Sequence, residues 1–285
     1  MICTEFYDGQ GLGNQLWLYV VTRVKSLDLG LAHGVMHPEK FKGMHFIALD
    51  FGQQLFGGEG PEGGPPKTLP QGIVNYYREP LIRHPQTGQD ISGVDPEFDS
   101  VNDQTKIDGN FQSPFFIQHR KTEIKEWLTP IDRYKKSDID PFQCVINFRG
   151  GEYRHMKDVF LPPDYWQKAR EIMLKLEPRM TFKVVTDDPK LAKSFFPRAE
   201  VTTQDMSADY CDIFYARYLI LSNSSFGWFP AWLNSNTMMT IAPKFWWGFN
   251  RNQYWSTSRM QTKEFSYLDR DGNFEFSSHV NSEKI

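Results

Sequence analysis

The chain is poor in the features that would assign it quickly. Only three cysteines (Cys3, Cys144 and Cys211) occur in 285 residues, and they form no C-x-x-C pair. An odd, scattered set excludes a disulfide scaffold and a zinc knuckle, and points to reduced, buried thiols. Excess charge of one sign is also missing, since 32 Lys and Arg stand against 35 Asp and Glu for a net charge of −3. No bulk basic field therefore marks nucleic acid or anionic lipid as a partner. No apolar run approaches the ~20 residues that cross a bilayer. The N-terminus lacks the basic patch and apolar stretch of a signal peptide, so a cytoplasmic protein without a membrane span is expected. The seven histidines form no H-E-x-x-H motif, and no G-x-S-x-G elbow occurs, which leaves zinc-hydrolase and serine-hydrolase chemistry unsupported.

What the chain does have is a large supply of core-forming side chains. Hydrophobic residues make up 40% and aromatic residues 15%, enough to fill one or two medium domains and to exclude disorder. Ile2 to Tyr7 reads as a buried strand meeting a turn at Gly9, Gly11 and Gly13. Asn14 to Leu27 then reads as a helix, with Leu16, Val20, Val24 and Leu27 at helical spacing. Residues 57–70 are dense in Gly and Pro and predict a loop, and residues 80–104 are polar and turn-rich. Lys106 to Phe111 predicts a strand and Pro114 to Leu128 a helix.

A second strand–loop–helix unit follows at Gln143 to Phe148, 149–161 and Pro162 to Leu176. Its helix has an apolar face of Tyr165, Ala169, Ile172 and Leu176. Strands and helices alternate over Thr181–Val185, Lys190–Phe195, Asp209–Arg217, Tyr218–Leu221, Phe226–Leu233 and Thr240–Ala242. Alternation of this kind predicts an α/β fold with parallel sheets covered on both faces. Two Rossmann-like halves with a cleft between them are expected: an N-terminal domain over 1–140, a C-terminal domain over 141–255, and a hairpin and tail over 256–285. In the tail, S-Y-L and F-E-F flank D-R-D-G-N. Its Gly272 is at the wrong position for a calcium loop and no glutamate closes one, so a turn is the better reading.

Four stretches could carry chemistry. In G-Q-G-L-G-N-Q, Gly9 to Gln15, alternate glycines let backbone amides approach a ligand, and the helix behind them offers unpaired N–H groups. The spacing fits neither G-x-G-x-x-G nor a P-loop; a pyrophosphate site and a simple tight turn remain open. In V-I-N-F-R-G-G-E-Y, Val145 to Tyr153, a strand ends in Arg149, which suits phosphate, and in Glu152, which suits a base. The alternative is a surface ion pair. In V-V-T-D-D-P, Asp187 and Asp188 are either a helix cap or a metal pair. In Ala208 to Asn234, the strand Tyr218–Leu221 enters Ser222 to Ser225 and an aromatic helix. That start either binds phosphate or is an ordinary serine cap over core tryptophans. The aromatic-rich segment 227–255 and the 57–70 loop either line a sugar groove or pack the core.

Together and in this order, the stretches resemble the α-1,2-fucosyltransferase family, within the wider superfamily of α-1,6- and protein O-fucosyltransferases. The likeness runs from residue 9 to about residue 247. The family's G-G-L-G-N-Q-M/L appears as Gln10 to Leu16, its G-Y-F/W-Q-S segment as Asp108 to Ser113, and its S/T-D-D as Thr186 to Asp188. The donor motif H-x-R-R-x-D-Y is Asn147 to Tyr153, followed by L-P-x-D-Y at Leu161 to Tyr165. The closing A-N-S-T-F-S-W-W-G-A-W-L-N is similar to Ser222 to Asn234, and I-A-P-K-x-W to Ile241 to Trp246. The donor motif departs at three positions: Asn147 for His, Gly150 for the second Arg and Glu152 for Asp. Arg149 stands where the family has its first arginine.

The resemblance implies a GT-B-like architecture, with a mainly acceptor-side N-terminal domain and the donor held by the C-terminal one. It implies an inverting transfer of a sugar, L-fucose from GDP-fucose first, to a hydroxyl of a glycan, with no cofactor and no metal. Donor binding falls to Gly11, Gly13, Asn14, Arg149, Asp187, Asp209, Asn223, Ser224 and Ser225, with Asp209 at the guanine edge. Glu152 is the first choice as base, with His155 and Asp158 as rivals, and Arg149 assists the leaving diphosphate. Partners are then a nucleotide-sugar donor and a glycan acceptor, while the oligomeric state stays open. Two alternatives remain: the same fold with another nucleotide sugar, or a non-catalytic nucleotide- or carbohydrate-binding protein.

Overall fold

The computed structural model describes residues 1–55, 69–83, 90–92, 95–202, 205–254 and 260–277. Most of the glycine- and proline-rich loop expected at 57–70 lies outside them. The chain divides into two compact α/β units, one from the described residues of Met1–Thr129 together with Met260, and one from those of Pro130–Trp255 and Gln261–Ile285. The two Rossmann-like halves expected from the sequence are present as these units.

The first unit opens with β1 (Ile2–Glu5), α1 (Leu12–Asp28) and β2 (His33–Met36), and continues through β3 (Asn75–Arg78), β4 (Leu81–Arg83), β5 (Asp90–Ser92) and β6 (Thr105–Asp108) to α2 (Lys121–Leu128). Its main sheet has the order β2-β1-β6-β3, every neighbour parallel, while β4 and β5 pair antiparallel by themselves. All four carboxyl ends of the main sheet therefore point one way. Helix α1 is sealed, with Leu16, Trp17, Leu18, Tyr19, Val20, Val21 and Val24 buried, because it packs directly on β1 and β2. It begins at Leu12, two residues before the expected Asn14, since Gly11 serves as its N-cap. The helix expected from Pro114 to Leu128 is α-helical only from Lys121; the part before it is two short 3₁₀ turns, the first capped by Ser113.

The second unit runs β7 (Gln143–Phe148), α3 (Pro163–Leu176), β8 (Thr181–Thr186), α4 (Pro189–Phe195), β9 (Glu200–Thr202), α5 (Met206–Tyr215), β10 (Tyr218–Leu221), α6 (Ser225–Leu233), β11 (Met239–Pro243), β12 (Ser266–Leu268) and β13 (Phe274–Glu275). Its seven strands order as β13-β12-β11-β10-β7-β8-β9, with only the β12–β13 pair antiparallel. The tail strands thus extend this sheet. The D-R-D-G-N segment is a turn, in which Asp269 Oδ1 accepts from the N–H groups of Asp271 and Asn273 at 2.9 and 2.8 Å.

Strand alternation assigns the two faces. Cys144, Ile146 and Phe148 share a core with Tyr165, Trp166, Ala169 and Met173 of α3 and with Ala192 of α4, while Asn147 faces α6. Of the predicted α3 face, Tyr165 and Ala169 are buried, and Ile172 and Leu176 pack at the core's margin. Phe148 is the hub, with its ring 5.2–6.2 Å from those of Phe160, Trp166, Phe195 and Phe196. Among the described residues no helix is long and apolar enough to cross a membrane. The three cysteines are free and buried.

Truncating the hub should be costly. Phe148→Ala is expected to lower the unfolding free energy of the second unit by about 3–5 kcal/mol, measured by urea denaturation against the wild type.

Candidate functional site

In open parallel sheets, ligand-binding groups gather outside the carboxyl ends of the strands. Here the residues singled out in the sequence lie at two such edges, one in each unit.

At the edge of the second unit, β7, β8 and β10 are neighbours, and each ends in a polar segment. Arg149 follows β7, and its Nη1 lies 2.7 Å from Asp187 Oδ2, at the end of β8. Its Nη2 donates to Glu152 Oε1 at 3.3 Å, and Nε is buried without a hydrogen-bond partner. The N–H of Gly150 donates to the other Asp187 oxygen at 2.9 Å. The two glycines make this closure possible. A Cβ at Gly150 would sit 2.7 Å from Asp188 Cβ, and one at Gly151, where φ is +21°, would sit 2.2 Å from Asp187 Oδ2. As the loop stands, a side chain at 150 would force Asp188 or the backbone to shift.

Asp188 is the N-cap of α4, accepting from Leu191 N–H at 3.1 Å, and it also pairs with Arg154 at 3.1 Å. The cap reading of D-D-P is therefore realised for Asp188, while Asp187 braces the arginine. The rival base candidates are engaged as well. His155 Nε2 accepts from Arg154 Nε at 3.0 Å, and Asp158 pairs with Arg251 at 3.0 Å.

Asn147, buried in β7, accepts from Ser222 Oγ at 3.1 Å. Gly227 of α6 comes so close that a Cβ there would lie 2.7 Å from Asn147 Oδ1. Asn223 is sealed: its amide donates to Val159 O at 2.7 Å and its carbonyl accepts from Trp247 Nε1 at 2.9 Å. As placed, it ties the 149–161 loop and the segment after β11 to the start of α6. Ser224 is the N-cap of α6 and accepts from Phe226 N–H, and Ser225 opens the helix. Trp228, Phe229 and Trp232 are buried core residues, which realises the core-packing alternative for these three.

Asp209 sits in the first turn of α5, three residues before Asp212. Asp212 is paired with Lys183 at 2.8 Å and with Lys136. Asp209 Oδ1 is buried without a hydrogen-bond partner. Burial, with the nearby Asp212 charge, pushes its carboxyl up to about 7.

At the edge of the first unit, Gly11 brings no capping side chain to α1, Gly13 is buried within the helix, and Asn14 Oδ1 accepts from Gln112 Nε2 at 2.9 Å. This bond joins two stretches quoted separately in the sequence. Gln15, which sequence reasoning passed over, is fully buried and clamps the following loop, donating to Lys40 O at 2.9 Å and accepting from Lys42 N–H at 3.0 Å. Also missed was a titratable cluster: Lys106 Nζ lies 2.5 Å from Glu5 Oε2 and 3.2 Å from Tyr7 OH, and Tyr7 and Tyr76 both donate to Asp108 Oδ2. Its sequence signal was a lysine and an aspartate two apart in an apolar strand, hence on one face. Among the described residues no group of three His, Cys, Asp or Glu is placed to hold a metal ion.

The raised Asp209 carboxyl has a definite sign in stability. The folded state holds a proton there that the unfolded chain releases near 3.8, so its contribution favours folding at low pH and is lost as pH rises from 3.8 to about 7. Asp209→Asn should therefore gain on the wild type across that window and level off above it. The gain is bounded by about 1.4 kcal/mol per pH unit and is smaller because water reaches part of the group. Denaturation of both proteins from pH 4 to pH 8 checks this.

No family model matches the chain, and no curated protein matches it. Among solved structures it is similar to POFUT1 in complex with GDP, at 10% identity and a TM-score of 0.41, covering 80% of this chain and 92% of that one. POFUT1 in complex with GDP-fucose aligns at 10% identity and a TM-score of 0.42, covering 83% and 94%. A mutant of FUT1 from Arabidopsis thaliana in complex with GDP aligns at 10% identity and a TM-score of 0.46, covering 85% and 69%.

Proposed function

We propose that this protein is an inverting glycosyltransferase that moves a sugar from a nucleotide donor, GDP-fucose first, to a hydroxyl of a glycan. The observation that carries the reading is the second unit's carboxyl edge. Arg149, Asp187, the Ser224-capped start of α6 and Asp209 come from three of the four stretches and stand at the ends of adjoining parallel strands or at helix starts beside them. The order of the same stretches along the chain resembles the fucosyltransferase pattern.

In this reading Arg149 holds the donor diphosphate. Its guanidinium is braced by Asp187 and Glu152 and keeps one N–H unpaired, and a phosphate would exchange with the weaker, 3.3 Å partner. A charge-assisted grip strengthens as the glycosidic bond breaks and negative charge gathers on the leaving group. The first-turn N–H groups of α6, at Ser224 and Ser225, add the helix dipole. Asp209, with a buried oxygen that lacks a donor, takes the N–H edge of guanine. Asn223 acts by fixing the loop. Gly11, Gly13 and Asn14, at the start of α1, keep the donor-binding role that the resemblance gives them. Guanidinium and N–H groups supply the charge stabilisation in this scheme, so turnover is expected to persist in a chelator.

A second reading, the same reaction with another nucleotide sugar, is favoured by one observation: a second phosphate-binding arginine at position 150 would force Asp188 or the backbone to shift. A panel of nucleotide sugars decides between the two, since turnover of another donor with none of GDP-fucose rejects the fucose reading. GDP binding with no transfer to any acceptor would instead favour a binding protein.

Arg149→Ala should weaken GDP binding by about 1.5–3 kcal/mol, the worth of a hydrogen bond to a charged group. Calorimetry with GDP measures it, and an unchanged affinity removes Arg149 from the site.

A further inference from the structure

Within the second unit, α3 and the turn that joins β12 to β13 enclose a cavity of about 380 Å³, inside the range of ~300–1,000 Å³ that small-ligand sites occupy. None of its lining residues belongs to the edge that carries Arg149, Asp187, Asp209 and the start of α6. Asp164, Gln167, Lys168 and Glu171 recur at three- and four-residue steps, so they share one face of the helix. All four are exposed. Arg270 and Asp271 of the D-R-D-G-N turn line the same cavity, and Tyr165, Phe249 and Leu268, each no more than 2% exposed, close it on the core side.

The walls are fixed from behind. Tyr165 OH donates to Leu221 O at 2.6 Å, and its ring meets that of Phe249 edge-on at 5.2 Å. The next residue, Asn250, donates to the carbonyls of Lys157 and Phe160 at 3.1 and 2.8 Å. The turn is pinned as well, because the Asp269 carboxylate receives three hydrogen bonds from Asp271 and Asn273. Asn252 donates to Asp271 Oδ2 at 2.7 Å. The groups at the rim are in a different state: among the described residues, Asp164, Lys168 and Arg270 make no hydrogen bond or ion pair. A frame set in advance lowers the ordering cost of binding, and these three side chains supply uncommitted donors and acceptors around it.

The mixture of charges narrows the ligand class. A compact anion such as phosphate would meet Asp164, Glu171 and Asp271 along with the two cations. A metal ion would meet Lys168 and Arg270, and no group of three His, Cys, Asp or Glu among the described residues is placed to hold one. A hydroxyl both donates and accepts, so a ring of hydroxyls uses carboxylate, amide and cation alike without bringing charge. A pyranose ring also has an apolar C–H face to lay against Phe249 and Leu268. We infer that this cavity is a binding site for a neutral saccharide, built from residues other than those of the transfer edge. Lys168 and Arg270 donate to the sugar hydroxyls, and Asp164 and Glu171 accept from them. The inference stands without the glycosyltransferase reading.

The test screens the full chain on an array of neutral, sialylated and amino-sugar glycans, then titrates the strongest-binding neutral oligosaccharide by calorimetry. The wild type is expected to bind neutral glycans. Arg270→Ala and Asp164→Ala each remove an exposed side chain, so the melting temperature should hold while the oligosaccharide binds about tenfold or more weakly, the worth of a hydrogen bond to a charged group. Gln167→Trp, which puts an indole on the cavity wall, should abolish binding in a protein that still folds. Wild-type affinity in either folded alanine variant, binding of charged glycans alone, or no glycan bound overturns the assignment. Donor turnover, which tests the transferase reading, is a separate measurement, so the two can fail independently.

Discussion

An arginine and an aspartate at the ends of neighbouring parallel strands organise the second unit's edge. The 2.7 Å pair of Arg149 and Asp187 fixes where the chain turns as it leaves β7, because the same carboxylate also receives the N–H of Gly150. The loop between there and α3 is tied to other segments by the pairs Arg154–Asp188 and Asp158–Arg251. Asp187 is partly buried, and removing it would leave a half-enclosed cation and a backbone N–H without their acceptor, a larger cost than a surface ion pair is worth.

Both edges are held by buried polar groups that satisfy one another. Asn147 and Ser222 join β7 to the segment after β10, and Asn223 joins that segment to the 149–161 loop. In the first unit, Lys106 and Glu5 form a sealed pair, and Gln15 closes both ends of its amide on backbone. Such groups are expensive to bury and strict about geometry, so they locate loops more sharply than apolar packing does. Against this background the unsatisfied atoms stand out. Arg149 Nε and Asp209 Oδ1 are buried without hydrogen-bond partners, as are Trp166 Nε1, Arg170 Nε and Arg217 Nε in the same unit.

Much of the fold was legible because apolar runs and breakers agree. Gln143–Phe148 and Tyr218–Leu221 stand as read, and Pro163 begins α3 one residue from the expected start. Among the elements that escaped, β2 and β9 each lie at an edge of their sheet. Helix starts shifted for local reasons. Asp205 caps α5, which begins at Met206, three residues before the expected Asp209, and Pro114 with the Ser113 cap settled into a 3₁₀ turn rather than the first turn of a long helix.

The sequence by itself determined that strands end in glycine, arginine and paired carboxylates, because a breaker after an apolar run marks a strand's exit whatever surrounds it. It also determined the order of those exits along the chain. Only the tertiary structure decided which exits meet. Arg149 finds Asp187 because β7 and β8 are neighbours, and Tyr7, Tyr76 and Asp108 converge because β1, β6 and β3 lie side by side. Whether a carboxylate faces a guanidinium or two phenols depends on strand order, and strand order is set by packing across the whole sheet, which no local pattern records.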